Sequence, residues 1–293
     1  MGVYYQIEEY HCPLDLSQAL ETLSRFGNKA RVIAGGTDIL PQRPGVKKSD
    51  RIRHLVDISK LDLNYLKKEN DHFHIGAGTD LNTIGAFPHF LSNPYRALSE
   101  AVDNHSTMTI KNRATVGGNL CNASSCADLA LPLLILDAIL VAAGPSGKRE
   151  IAIERFFVGA NISALGQGEL LLEIRIPKGS QKAGTAFVKL RRQQTAIDMA
   201  VVNTATFLLC NKGHCEAARI ALGAVGPIPF RAKKAESVLA GAELNGKVIQ
   251  EAAAAAAEEA RPIDDVRATA AYRKKMVRVL VRRSLENSLQ RCE

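Results

Sequence analysis

The chain of 293 residues contains no tryptophan and only 5% aromatic residues. Stacking platforms for single-stranded nucleic acid need aromatic faces, so that class of partner is disfavoured. No hydrophobic run is long enough to span a bilayer: "LALPLLILDAILVAA", residues 129–143, is apolar but short, and Asp137 interrupts it. The opening "MGVYYQIEEYHCPLD" lacks the apolar centre of a secretory signal, and Gln6 does not fit a myristoylation site after Met1-Gly2. With six cysteines in that context, the expectation is a cytoplasmic protein with reduced thiols. Two nucleotide signatures are also missing: neither G-x-G-x-x-G nor a P-loop occurs, so an ordinary NAD site or an ATPase is not supported.

What is present is a soluble-protein balance of 46% hydrophobic and 23% charged residues, with a net charge of +8. The basic residues are spread out. The densest stretch, "YRKKMVRVLVRR" at 272–283, alternates basic and apolar residues at helical spacing. It reads as the solvated face of a helix, or as a docking surface that charge reversal at Arg282 and Arg283 would weaken.

The segment order predicts an α+β protein in two parts. "DLSQALETLSRFG", 15–27, has a capping Asp15 or Ser17, an apolar stripe of Leu16, Ala19, Leu20 and Leu23, and a stop at Gly27. Strands are expected at "ARVIAGG", "HLVDISK", "HFHIGAGTDL" and "GELLLEIRIP". Between them, "GAFPHFLSNPYRALSEAVDNHS" predicts two short helical stretches broken by Pro88 and Pro94, and residues 115–128 read as turn-rich ahead of a helix and a strand. Composition shifts at "PKGSQKAG", 177–184. Beyond it, "AFVKLRRQ", "AVVNTATFLLC" and "HCEAARIALGAVG" predict an antiparallel meander with "CNKGHC" as a hairpin tip. Helices follow at "RAKKAESVLAG", at "NGKVIQEAAAAAAEEARPID" and from about 268 to 291.

Two segments stand out: "IAGGTDIL", 33–40, and "TVGGNLCNASSCAD", 115–128. Each places Gly-Gly after a β-branched run and follows it with small polar residues. Paired glycines allow positive φ and close backbone approach, and successive free amides form an anion-binding nest. Thr37, Thr115, Asn119 and Ser124 add side-chain donors. A single pair of this kind is as readily a tight structural turn; two together could grip a pyrophosphate from opposite sides.

In order and spacing these segments, with "ELLLEIRIP", "AFVKLRRQQTAIDMAVVNTA" and "ARIALGAVGPIPFRAKKAE", resemble the FAD-binding medium subunit of the xanthine dehydrogenase and carbon monoxide dehydrogenase (molybdenum hydroxylase) family along nearly the whole chain. The resemblance implies a two-subdomain FAD-binding fold of the vanillyl-alcohol oxidase/MurB (PCMH) type at 1–178, with subdomains about 1–58 and 59–178. A smaller α+β C-terminal domain, an antiparallel sheet plus helices, would occupy 183–290. It implies FAD as cofactor, with Ile33, Ala34, Gly35, Gly36, Thr37, Asp38 and Ile39 around the pyrophosphate. Thr115, Gly117, Gly118 and Asn119 would form a second clamp, with Ser124 beside it. Asp128 would hydrogen-bond the cofactor, and Leu171 and Lys189 would lie at the flavin end. Taken alone, Asp128 is equally a helix N-cap, Lys189 a surface strand cation and His105 a solvated loop side chain. The chain departs from the family pattern at Ser125, where a proline is usual, and at "TIKNRAT" ahead of the second motif.

No metal site is expected. Cys121 and Cys126 lack the further thiolates of an iron–sulfur cluster, and Cys210, His214 and Cys215 lack a second ligand pair. The implied function is electron transfer in a complex, with no catalytic residue of its own. A molybdopterin-binding large subunit and a [2Fe–2S] small subunit would be the partners, in a heterotrimer, and NAD⁺, oxygen, a quinone or a ferredoxin the acceptor. The alternatives are a self-sufficient FAD-dependent oxidoreductase of the same fold and an assembly protein that has lost FAD. No nucleic acid or membrane span is expected.

Overall fold

The computed structural model describes residues 7–39, 52–193 and 199–292. Near the N-terminus, β1 (Glu9–His11), β2 (Ala30–Ile33) and β3 (His54–Asp57) form a parallel sheet in the order β1-β3-β2. Helix α1 (Leu16–Phe26) is the crossover from β1 to β2. Its start is fixed by Asp15, whose Oδ1 accepts the Gln18 amide at 2.9 Å, and it stops at Gly27, where φ is +51°. Ala19 and Leu23 are buried with Val56 and with Leu170 and Leu172 of the neighbouring sheet. Helix and strands fall where expected, but β1 was not anticipated: three half-exposed residues carry no periodic signal.

The second sheet is antiparallel. It comprises β4 (Leu66–Glu69), β5 (His72–Gly76), β6 (Ile139–Gly144) and β7 (Gly147–Ala152), a small β8 (Phe157–Gly159) and β9 (Ile162–Ser163) hairpin lies apart, and β10 (Leu170–Pro177) completes the order β4-β5-β10-β6-β7. The edge strands β4 and β7 are mostly exposed and charged, which hides them from hydrophobic patterning. Five short helices pack here: α2 (Leu81–Gly85), α3 (Arg96–Asp103), α4 (Met108–Lys111), α5 (Val116–Cys121) and α6 (Ala130–Ile135). They share one core with the sheet, built around Phe73, Ile75, Phe90, Leu131, Leu134 and Ile174. The segment expected to be turn-rich from 115 therefore begins as a helix. Thr115 caps it, its Oγ1 accepting the Gly118 amide at 3.0 Å, and the glycines let it press against the end of β5.

The C-terminal region is the expected meander. β11 (Ala183–Arg191), β12 (Ala200–Asn211), β13 (His214–Gly223) and β14 (Phe230–Arg231) run antiparallel in that order. The β12–β13 tip turns at Lys212 and Gly213, both with positive φ, +49° and +82°, as a two-residue hairpin requires. Three helices pack with the sheet: α7 (Lys233–Leu239), α8 (Gly246–Glu259) and α9 (Ala270–Gln290). α9 approaches closely because its facing residues are small. Thr206 Oγ1 meets Ser284 and Ser288 hydroxyls at 2.8 and 2.7 Å, and a Cβ on Gly184 would stand 1.9 Å from the Ser288 carbonyl oxygen. Lys274, Lys275, Arg278, Arg282 and Arg283 form the solvated face of this helix. Arg273 departs from that pattern: it is buried, donates to the Val201 and Ala224 carbonyls at 2.8 and 3.0 Å and pairs with Asp265 at 2.6 Å.

One expectation is corrected. Cys210 is not a reduced thiol but is disulfide-bonded to Cys292, joining the hairpin end of β12 to the residues after α9. Spacing could not reveal a pair separated by 82 positions. Among the described residues, no helix is long and apolar enough to cross a membrane.

Candidate functional site

The two glycine segments meet. A Cβ on Gly35 would stand 1.7 Å from the carbonyl oxygen of Arg113, so its missing side chain is filled by the backbone that leads into the second segment. Gly36 answers a different demand: its φ is +72°, the left-handed region. The chain thus leaves β2, turns at Gly36 and exposes Asp38, with Ile33 anchored below against Ile52 and Leu55, and Ile39 packed on the same cluster. Ala34 packs instead on the core beneath α1. No hydrogen bond among the described residues takes up the amides of Gly35, Gly36 or Thr37.

At the second segment most amides are already used. Val116 donates to the Thr79 carbonyl at 3.0 Å, Gly117 to the Ala77 carbonyl at 2.9 Å and Asn119 to the Thr115 carbonyl at 3.0 Å. A Cβ on Gly117 would meet the Ala77 oxygen at 2.6 Å. Gly117 is therefore a packing glycine, while Gly118 is exposed. The open nest expected here is replaced by a capped helix start. What remains unsatisfied is Asn119 Oδ1, buried with no donor among the described residues. Such an acceptor costs roughly 1–3 kcal/mol unless something donates to it. Ser124 is held within its own loop, its Oγ 3.2 Å from Cys126 Sγ.

The structure gathers the other polar candidates around Asp128, which is buried. Its Oδ2 accepts from Lys189 Nζ at 2.7 Å and lies 3.1 Å from His105 Nδ1, and its Oδ1 accepts from Asn203 Nδ2 at 2.9 Å. Three bland readings fail together. Asp128 caps no helix, since α6 begins after it without a side-chain cap. The Lys189 side chain is only 2% exposed, not a surface cation. His105 is a part-buried partner of the carboxylate, not a solvated loop residue. Lys189 Nζ also donates to the Asn104 carbonyl at 3.1 Å, and Arg191 reaches the same carbonyl at 2.6 Å. The C-terminal sheet thereby grips both the end of α3 and, through Asp128, the loop after α5; Ala224 donates to the Ser125 carbonyl at 2.7 Å as well.

Leu171 is enclosed in the main core, opposite Ala142 on β6, so its side chain is closed to a ligand. Cys121 packs against the same core, and burial pushes its thiol up to about 12, which leaves it almost wholly protonated and a poor nucleophile. Sequence reasoning missed Asn203, Asn104 and Arg191. Nothing in the local pattern of β12 marks Asn203, an inward polar residue whose partner lies 75 positions away.

The comparisons with known proteins now bear on this geometry. Residues 5–179 match the family described as "FAD binding domain in molybdopterin dehydrogenase", and residues 185–288 match "CO dehydrogenase flavoprotein C-terminal domain". The domain that holds the glycine turns and Asp128 is thus of the FAD-binding class, and FAD is its cofactor. The chain is 30% identical to the carbon monoxide dehydrogenase medium chain of Hydrogenophaga pseudoflava, covering 97% of this chain and 98% of that one. It is 27% identical to the xanthine dehydrogenase FAD-binding subunit of Escherichia coli O157:H7, covering 97% of both. A solved carbon monoxide dehydrogenase from Hydrogenophaga pseudoflava superimposes with a TM-score of 0.91 at 29% identity, covering 99% of this chain and 100% of that one. The chain belongs to the family of FAD-binding oxidoreductase subunits typified by carbon monoxide and xanthine dehydrogenases.

Proposed function

We propose that this chain is the electron-transfer flavoprotein subunit of a molybdenum hydroxylase complex, and that FAD lies across the two glycine turns. The observation that carries the reading is their juxtaposition. A turn whose amides at Gly35, Gly36 and Thr37 are uncommitted among the described residues is held against a second turn by the Gly35–Arg113 contact, and that second turn carries a buried acceptor, Asn119 Oδ1, with no donor among those residues. Uncommitted amides suit a pyrophosphate, and the orphaned acceptor suits a ligand hydroxyl or N–H.

In this reading Ile33 to Ile39 hold the pyrophosphate through backbone, Thr115 to Asn119 form the opposite wall, and Ser124 supports the loop after it. Asp128 orients the flavin end, with Leu171 contributing backbone. Lys189 is a positioning residue: two of its donors are already committed, so it holds the carboxylate in place and supplies a buried positive charge nearby. When bound, FAD accepts electrons one at a time and releases them in pairs. The chain's own contribution is binding, orientation and a fixed electrostatic field. Its six cysteines form no cluster-ligand run, so iron–sulfur clusters and molybdopterin come from partner subunits, and NAD⁺ is a fitting two-electron acceptor.

The test is reconstitution. The isolated chain should purify yellow and be inert toward hydroxylase substrates, and its flavin should be reduced by substrate only when the partner subunits are added. Substrate turnover by the isolated chain would instead favour the self-sufficient oxidoreductase.

A further inference from the structure

The parallel sheet whose β2 leads into the first glycine turn also carries a cluster that the proposed flavin site does not include. Glu9 and His11 are two apart on β1 and so share a face of the sheet. In the β1–β3 register Glu9 stands opposite His54. The three side chains converge. His11 Nε2 is 3.2 Å from His54 Nδ1 and 3.3 Å from Glu9 Oε2, and His54 Nδ1 is 3.6 Å from the same oxygen.

Those separations fit a metal shell as well as a hydrogen-bonded cluster. A tetrahedral zinc ion with Zn–N and Zn–O bonds of about 2.0–2.2 Å holds its ligand atoms about 3.3–3.6 Å apart. One N···N contact and two N···O contacts therefore already outline one face of a zinc coordination shell. Two imidazole nitrogens and one carboxylate oxygen also form a borderline donor set, suited to zinc rather than to calcium or magnesium. The site is built. Phe26 stacks on His54 with ring centroids 3.7 Å apart, which fixes the imidazole, and His54 is buried. The three residues line one cleft together with Glu21, Thr22 and Arg25 of α1, so an ion there keeps a fourth position open to water or a small ligand.

We propose that Glu9, His11 and His54 bind one divalent transition-metal ion of the zinc class, tying β1 to β3. The experiment uses the full-length FAD-loaded chain, stripped of adventitious metal by a chelator. Zinc titration followed by calorimetry and elemental analysis should give one equivalent per chain and raise the thermal midpoint. Co²⁺ at the same site should show tetrahedral d–d bands without a sulfur-to-cobalt charge-transfer band, which separates this site from the free thiols of Cys12 and Cys126. His11→Gln and Glu9→Gln should each weaken binding at least about tenfold and abolish the thermal shift, with flavin content unchanged. His11 is only partly buried and Glu9 is exposed, so both variants should fold, and unchanged flavin absorbance checks this. No zinc uptake by the parent, equal uptake by both variants, or a thiolate band with Co²⁺ would each overturn the assignment.

Discussion

The two glycine turns look alike in sequence and are opposites in the structure. At Gly35–Gly36 no group among the described residues takes up the amides, and one residue lies in the left-handed region. At Gly117–Gly118 the amides are spent on Ala77 and on the Thr115 cap, and the following loop is gripped through Asp128 by Lys189 and Asn203. The first turn offers backbone amides; the second offers little backbone but carries the orphaned Asn119 acceptor and packs against the first. Gly35 and Gly117 are glycines because backbone packs against them, and only Gly36 among the four requires its conformation.

The sharpest way to break this contrast is at Asp128. Removing either member of its buried ion pair leaves an uncompensated charge, so Asp128→Ala or Lys189→Met should cost roughly 3–5 kcal/mol in urea unfolding. The double variant should cost less than the sum of the two, since they share one interaction. Additive losses would mean that the pair is not coupled. Next comes Gly35→Ala, whose methyl must displace the Arg113 backbone, at about 3 kcal/mol or more and with flavin lost as a consequence of misaligned turns.

Gly36→Val should behave differently. Left-handed backbone costs a substituted residue about 1–2 kcal/mol, so the chain stays folded by circular dichroism while the purified protein is colourless. A fully yellow Gly36→Val protein would falsify the ligand role of the first turn. Smaller still is Asn119→Leu. Replacing an orphaned buried acceptor by an apolar group should leave the flavin-free chain within about 1 kcal/mol of the parent, and flavin affinity should fall roughly threefold to tenfold. Equal affinity in a flavin titration would remove Asn119 from the site.

A pH-dependent effect lies outside both turns. Burial pushes the Asp265 carboxyl up, but the Arg267 amide and the Arg273 guanidinium outweigh it and hold the group down at about 2, below its ordinary 3.8. A carboxylate whose pKa falls on folding contributes stability above its ordinary value and loses it as pH drops from about 4 toward 2. Asp265→Asn should flatten that acid arm of the stability curve and leave flavin binding untouched.

Much of the fold was legible in local pattern. α1 is marked by Asp15, a four-residue stripe and Gly27; β10 by an apolar run that passes into alternation and ends at Pro177; the β12–β13 hairpin by "NKG" between apolar runs. What failed to show were short or exposed strands. β1, β4 and β7 present too few buried residues for a period to register, and with β1 the Glu9–His11–His54 cluster stayed hidden. The glycine pairs and Asp128 stood out through their order along the chain, yet their division of labour did not.

That difference has a physical reason. Turn chemistry, caps and hydrophobic period are local: a Gly-Gly after a β-branched run states that the backbone must bend or be approached, whatever surrounds it. Which of those two demands applies depends on what lies against the turn. Arg113 fills the space at Gly35, Ala77 takes the Gly117 amide, and nothing among the described residues takes the amides at Gly36 and Thr37. Likewise Lys189 becomes a buried partner of Asp128, and Cys210 a partner of Cys292, only because strand register and helix packing bring together positions 61 and 82 residues apart. The pairings of charges, thiols and ligating imidazoles belong to the assembled chain, since each is a contact between segments that no single segment encodes.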